Sequence, residues 1–150
     1  MNTEFRITEN EARYLMLIYR RQIEESSEVS TTGMAKLLNV KPATVTEVIR
    51  NLSKKNLLKH RPYRGVELTK RGIKEARKLL RKHRILELLF VDFLKYDVRK
   101  SCIEASKIDY HASMSLINDI CRVYGHPGLC PCEKAIFANS HYIKSDTRMK

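Results

Sequence analysis

Thr31-Thr-Gly-Met-Ala-Lys-Leu-Leu-Asn-Val-Lys-Pro-Ala-Thr-Val-Thr-Glu-Val-Ile-Arg-Asn-Leu52 reads as two short helices around a tight corner. Met34, Leu37 and Leu38 give the first helix an apolar stripe, and Val45, Val48, Ile49 and Leu52 give the second one at helical spacing. Asn39 and Val40 make the turn. Pro42 suits the first turn of the second helix, where its missing N–H leaves no bond unmade. The second helix leaves Lys41, Ala43, Thr44, Thr46, Glu47 and Arg50 outside. Small, hydroxylated and charged side chains of this kind reach base edges and phosphates in a major groove. Thr31 and Pro42, at the starts of the two helices, complete the candidate DNA-contacting set. A helical hairpin with a merely solvated face has the same pattern, so the stretch alone leaves both readings open.

The residues that follow favour DNA. Leu57-Leu-Lys-His-Arg-Pro-Tyr-Arg-Gly-Val-Glu-Leu-Thr69 predicts two short strands around a tip of Pro62, Tyr63, Arg64 and Gly65. Val66 and Leu68 alternate with Glu67, as in a half-buried strand. A basic hairpin directly after a helix-turn-helix is a wing. Its His60, Arg61, Tyr63 and Arg64 are placed to follow the phosphate backbone or enter a minor groove.

Charge agrees with this placement. The formal net charge is +12 over 150 residues, from 29 Lys+Arg and 17 Asp+Glu. Residues 1–84 hold 20 of these basic and 9 of these acidic residues, a net of +11, and residues 85–150 are left with 9 and 8. The excess thus lies with the helix-turn-helix, where neutralised phosphates would release counterions. No apolar run is long enough to span a membrane. The amino terminus lacks a signal-peptide pattern, which predicts a cytoplasmic protein whose four cysteines are reduced or metal-bound.

Around the central stretch, Thr8-Glu-Asn-Glu11 is a capping-box pattern that predicts a helix to about Glu25, burying Ala12, Leu15, Met16, Ile18, Tyr19 and Ile23. Thr69 caps a long helix over 70–95, basic at first and then apolar on all sides from Ile85 to Leu94. A helix apolar all round needs more than one packing partner. Two shorter helices are expected at about Val98–Tyr110 and Ser113–Tyr124, ended by Gly125-His-Pro-Gly128. The expected organisation is mainly α: a winged helix-turn-helix DNA-binding domain over 1–72, a helical metal-binding and dimerisation domain over 73–137, and a loose basic tail over 138–150.

With these elements placed, Met34-Ala-Lys-Leu-Leu, Thr44-Val-Thr, Tyr63-Arg-Gly-Val-Glu-Leu-Thr-Lys-Arg-Gly72, Arg81-Lys-His-Arg-Ile-Leu-Glu87 and Gly125-His-Pro resemble the diphtheria-toxin-repressor and manganese-transport-regulator family. The resemblance runs from about Thr8 to Pro131. It implies a homodimeric winged-helix repressor, paired through the second helical domain, that binds a palindromic double-stranded DNA operator more tightly when a divalent transition metal is bound. Some members add a carboxy-terminal SH3-like domain, for which this chain is too short. One family metal subsite carries over onto His83, Glu87 and Cys102, with sulfur in place of a nitrogen. The other carries over poorly. Its positions read Arg13, Met16, Ser106, Asp109 and Tyr110, with His111 one step away. A hard divalent cation such as Fe2+ or Mn2+ would find only Asp109 and His111 there, and Met16 is a weaker candidate.

The cysteines suggest a replacement. If the last two helices form an antiparallel hairpin, Cys102 and Cys121 are neighbours across it, and Cys130-Pro-Cys132 is turned back toward them. Four thiolates would suit a tetrahedral zinc site, structural or metal-sensing, or a [4Fe–4S] cluster, which would make the protein iron- or redox-responsive. Four reduced thiols, with a constitutive DNA-binding protein around them, is the alternative. No phosphate-binding glycine loop, nucleophile elbow or HExxH pattern is present, so the expectation is that the protein is not an enzyme.

Overall fold

The structure, a computed structural model, describes residues 6–138. Apart from Ala138, the tail expected to be loose lies outside the described residues. The elements in chain order are α1 (Glu9–Tyr19), α2 (Thr31–Leu38), α3 (Pro42–Lys54), β1 (Leu58–Arg61), β2 (Gly65–Leu68), α4 (Lys70–Asp92), α5 (Val98–Ile108) and α6 (Met114–Val123). The chain divides into two compact units, Met1–Ala76 and Arg77–Lys150, so α4 begins in one and ends in the other.

In the first unit, α1 starts on the capping box read from the sequence. Thr8 Oγ1 accepts the Glu11 N–H at 3.2 Å, and Glu11 Oε2 accepts the Thr8 N–H at 2.7 Å. Lys55 Nζ pairs with the same buried carboxylate at 2.6 Å. Ala12, Leu15, Ile18 and Tyr19 of α1, Met34 of α2, and Val45, Ile49 and Leu52 of α3 form the core. Leu37, expected inside, is 54% exposed, and the buried residues of α2 are Met34 and Ala35.

The helix predicted to run on to Glu25 changes character at Arg20. Arg20–Glu24 forms a π-helical turn, closed by Glu25 N–H to Arg20 C=O at 2.9 Å. A π turn holds one extra residue and shifts the phase of the helix. Ile23 is therefore carried out of the core and is 44% exposed. Gln22 is brought to the wing instead: its Nε2 donates to Val66 C=O, and its Oε1 accepts the Leu68 N–H at 3.1 Å. The outer edge of β2 is thereby covered.

The wing is an antiparallel pair in which Leu58 faces Leu68 and Arg61 faces Gly65. Gly65 opens β2 at φ +77°, and a Cβ there would lie 2.4 Å from Val29 C=O. The loop before α2 and the wing approach this closely only because the position is glycine.

In the second unit, Ile85 and Leu86 of α4 pack with Ala105 of α5 and Ile117 and Cys121 of α6. Asp97 and Ser113 cap α5 and α6 through the Lys100 and Leu116 N–H groups. The long helix stops at Asp92, short of the predicted 95, because Lys95 adopts a left-handed φ of 56°. Phe93 and Leu94, read as part of an all-round apolar helix, are 75% and 45% exposed. Beyond α6, Gly125 is left-handed, and an isolated bridge between Leu129 and Ala135 folds the Cys130–Cys132 segment back on itself.

Candidate metal centre and nucleic-acid interface

On α3 the buried stripe is Val45, Val48, Ile49 and Leu52, as periodicity requires. Lys41, Pro42, Ala43, Thr44, Thr46, Glu47 and Arg50 are all exposed. Thr46 Oγ1 donates to Pro42 C=O at 3.0 Å, which fixes its rotamer. Thr31 is half-buried at the start of α2. At the wing tip Tyr63 is fully exposed, with a left-handed φ of 64°, and Arg64 is exposed beside it. Arg61 is exposed too, but its Nε is bonded to Glu67 across the strand pair. That hydrogen bond, with the nearby positive charges and against the opposing effect of desolvation, holds the Glu67 carboxyl below its ordinary value. An Arg61 contact with DNA would have to compete with it.

In the second unit the i, i+4 pair His83 and Glu87 lies inside, 2% and 3% exposed at the side chain. His83 Nε2 is bonded to Glu87 Oε1 and lies 3.5 Å from Cys102 Sγ. His83 Nδ1 is 2.9 Å from Asp109 Oδ2. Burial pushes the imidazole toward its neutral form, but the bonds to Asp109, Cys102 and Glu87 outweigh it and raise the pKa from 6.5 to about 10. A proton on Nε2 thus sits where an imidazole nitrogen, a carboxylate and a sulfur meet. The ligand atoms of His83, Glu87 and Cys102 lie within 4.8 Å of one another, and those of Glu87, Cys130 and Cys132 do too. This donor set fits a borderline or thiophilic divalent ion. Asp109 then fixes the ring from its far nitrogen, the usual position of a supporting carboxylate.

The expected four-sulfur set is not assembled. Cys121 belongs to neither cluster; its sulfur lies 3.7 Å from Arg81 Nη1 and 3.5 Å from His126 Nδ1. The reason is helical phase. Arg81 and His83 are two residues apart on α4 and so point roughly 200° apart around it. Cys121 meets one side of α4 and Cys102 the other. Cys130 and Cys132 do come back to α4, but to Glu87: Cys132 Sγ–H donates to Glu87 Oε2 at 3.3 Å. Burial and the Glu87 charge push the Cys132 thiol up to about 12.

The positions of the second family subsite are divided between the two units. Asp109 is engaged with His83, while Ser106 Oγ donates to Cys102 C=O. His111 is exposed, edge-on to Tyr110. Met16 is buried in the core of the first unit, and Arg13 pairs with Glu9.

Sequence reasoning missed two functional-looking residues, Arg81 and Arg84, which are 4% and 2% exposed. Both count toward the basic first half of the long helix in sequence. Arg84 Nη1 donates to Ala135 C=O at 2.7 Å, and Arg81 bonds Asn118 Oδ1 at 2.9 Å and Phe137 C=O at 3.4 Å. Their apolar neighbours Ile85 and Leu80 were the available signal.

An exposed recognition face with a basic wing, followed by a helical unit bearing clustered N, O and S donors, defines a winged-helix regulator with a metal-binding domain. Residues 6–66 match the iron dependent repressor, N-terminal DNA binding domain, and residues 69–138 match the iron dependent repressor, metal binding and dimerisation domain. An HTH-type transcriptional regulator of Methanocaldococcus jannaschii is 36% identical over 104 residues, 69% of this chain and 83% of that protein. The transcriptional regulator MntR of Bacillus subtilis is 32% identical over 107 residues, 71% and 74% of the two chains. A manganese-dependent transcriptional repressor solved with manganese superposes with a TM-score of 0.79 at 30% identity. That match covers 85% of this chain, which spans only 58% of the solved one. The chain belongs to the iron-dependent repressor family. It is a DNA-binding transcriptional regulator with a metal-binding and dimerisation domain, and not an enzyme. Among the described residues no helix is long and apolar enough to cross a membrane.

Proposed function

We propose that this chain is a metal-responsive repressor that binds a palindromic operator as a homodimer, with a divalent ion at His83, Glu87 and Cys102 as the signal. The first domain, proposed as 1–72, reads DNA. Thr44, Thr46, Glu47 and Arg50 face base edges, while Thr31, Lys41, Arg61, Tyr63 and Arg64 follow the backbone. The second, proposed as 73–137, holds the ion and pairs two copies.

The carrying observation is the buried His83 ring, gripped by Glu87 and faced by Cys102 at one nitrogen and held by Asp109 at the other. An ion there would supply fixed positive charge that joins α4 to α5. Sulfur in the set favours Fe2+ or Zn2+ over Mn2+, which prefers oxygen. With Cys121 elsewhere and the other cysteines in two groups, the four thiolates of the [4Fe–4S] alternative do not come together.

The test is operator affinity under anaerobic, reducing conditions with Fe2+, Zn2+ or Mn2+ added, and with chelator. Fe2+ or Zn2+ is expected to tighten binding at lower free concentration than Mn2+. Equal affinity with and without chelator would leave a constitutive DNA-binding protein.

A further inference from the structure

Glu87 has two carboxylate oxygens facing two different sets of ligands. Oε1 is bonded to His83 beside Cys102, whereas Oε2 accepts from Cys132 beside Cys130. We propose that Cys130, Cys132 and Glu87 Oε2 form a second cation site, for a thiophilic closed-shell ion of the Zn2+ class, bridged by Glu87 to the site at His83. This extends the metal-centre reading and shares only Glu87 with it.

The segment carrying the two sulfurs is built rather than draped. Cys130 N–H donates to Lys134 C=O, Glu133 N–H to Cys130 C=O and Ile136 N–H to Gly128 C=O, each at 2.9 Å. Glu133 turns the chain at φ 59°, and Pro131 between the cysteines restricts the backbone that separates the sulfurs. α4 then clamps the bracket. Arg84 binds Ala135 C=O, Arg81 binds Phe137 C=O, and the Phe137 ring centroid lies 5.2 Å from the Arg77 guanidinium and 5.6 Å from that of Arg84. Two buried arginines spent on holding a nine-residue loop make sense if the loop must present its side chains at fixed positions.

The chemistry selects the ion. Two sulfurs and one oxygen make three of the four ligands of a tetrahedral site, with the last position left to water. Soft donors disfavour Mn2+. Cys130 and Glu87 are buried and Cys132 is at the surface, which gives an ion a way in. Each thiol releases its proton to solvent on binding.

The experiment is a Co2+ titration of the reduced, full chain, read by ligand-to-metal absorption. The wild-type chain should take two ions with the absorption of three thiolates. Cys130→Ser combined with Cys132→Ser should take one ion and keep about a third of the thiolate band. Cys102→Ser should keep about two thirds of it. One ion carrying all three thiolates, or a double variant that still takes two, would overturn the proposal. A readout without substitutions is alkylation of the wild-type chain: Zn2+ should protect both Cys130 and Cys132, and modification of either at saturating Zn2+ would contradict it. Failure of the His83 reading looks different, because Cys102→Ser would then leave metal-dependent operator binding intact while the Cys130 and Cys132 results stood.

Discussion

At His83 the metal-free protein holds a proton between two carboxylates, with its pKa raised to about 10 from an ordinary 6.5. A metal must displace that proton, so binding should release at least one proton, and apparent affinity should rise by about tenfold per pH unit through the neutral range. Titrations in buffers of different ionisation enthalpy measure the release. A pH-independent affinity would mean that His83 is not a ligand. The sign for folding is the opposite one. A raised histidine pKa stabilises the metal-free fold fully below 6.5, and that contribution is lost as pH rises through about 10. Asp109 holds the ring at its far nitrogen, so Asp109→Asn should weaken metal binding by roughly tenfold to a hundredfold while the protein stays folded. Metal competition assays measure it.

At the scale of elements, the wing depends on a glycine and a π turn. Gly65→Ala would put a Cβ against Val29 C=O at a positive φ, and should lower the stability of the first unit by about 1–3 kcal/mol in thermal unfolding. The wing tip is separable from that support. Arg64→Ala should weaken binding to all DNA sequences and reduce the salt slope by about one counterion, whereas Thr44→Ala should alter sequence preference and leave the slope unchanged. A titration across salt concentrations distinguishes them. The α3 stripe and the strand pair were legible in sequence because their periods of 3.6 and 2 are written in the apolar residues. The π turn was not. Arg20–Glu24 has nothing in its composition to separate it from α-helix, and only the tertiary reach of Gln22 to Val66 and Leu68 reveals it. Cys121 was misplaced for a related reason. Chain spacing says that two helices pair, but not that α4 presents Arg81 to one and His83 to the other.

For the molecule as a whole, the placement of groups, and not net charge, separates the two units. The exposed face of α3 lies in residues 1–76 and the donors cluster beyond Ala76, but net charge divides evenly at that boundary: 15 Lys+Arg against 9 Asp+Glu in 1–76 and 14 against 8 in 77–150, +6 each, because Arg77, Lys78, Arg81, Lys82 and Arg84 fall in the second unit. The donors were legible as residue types, from His83 and Glu87 at helical spacing and from a cysteine at each remaining position. Their grouping around Glu87 was not, since it depends on Arg81 and Arg84 turning inward to hold the last described segment. The central claim is that metal at His83, Glu87 and Cys102 governs the grip on DNA. The most direct measurement is operator affinity of the wild-type chain and of Cys102→Ser, each with saturating Fe2+ and with chelator, at one salt concentration and without oxygen. The account predicts that metal tightens wild-type binding and has little effect on the variant, with both chains equal in chelator. A variant that responds to Fe2+ as the wild type does would contradict it.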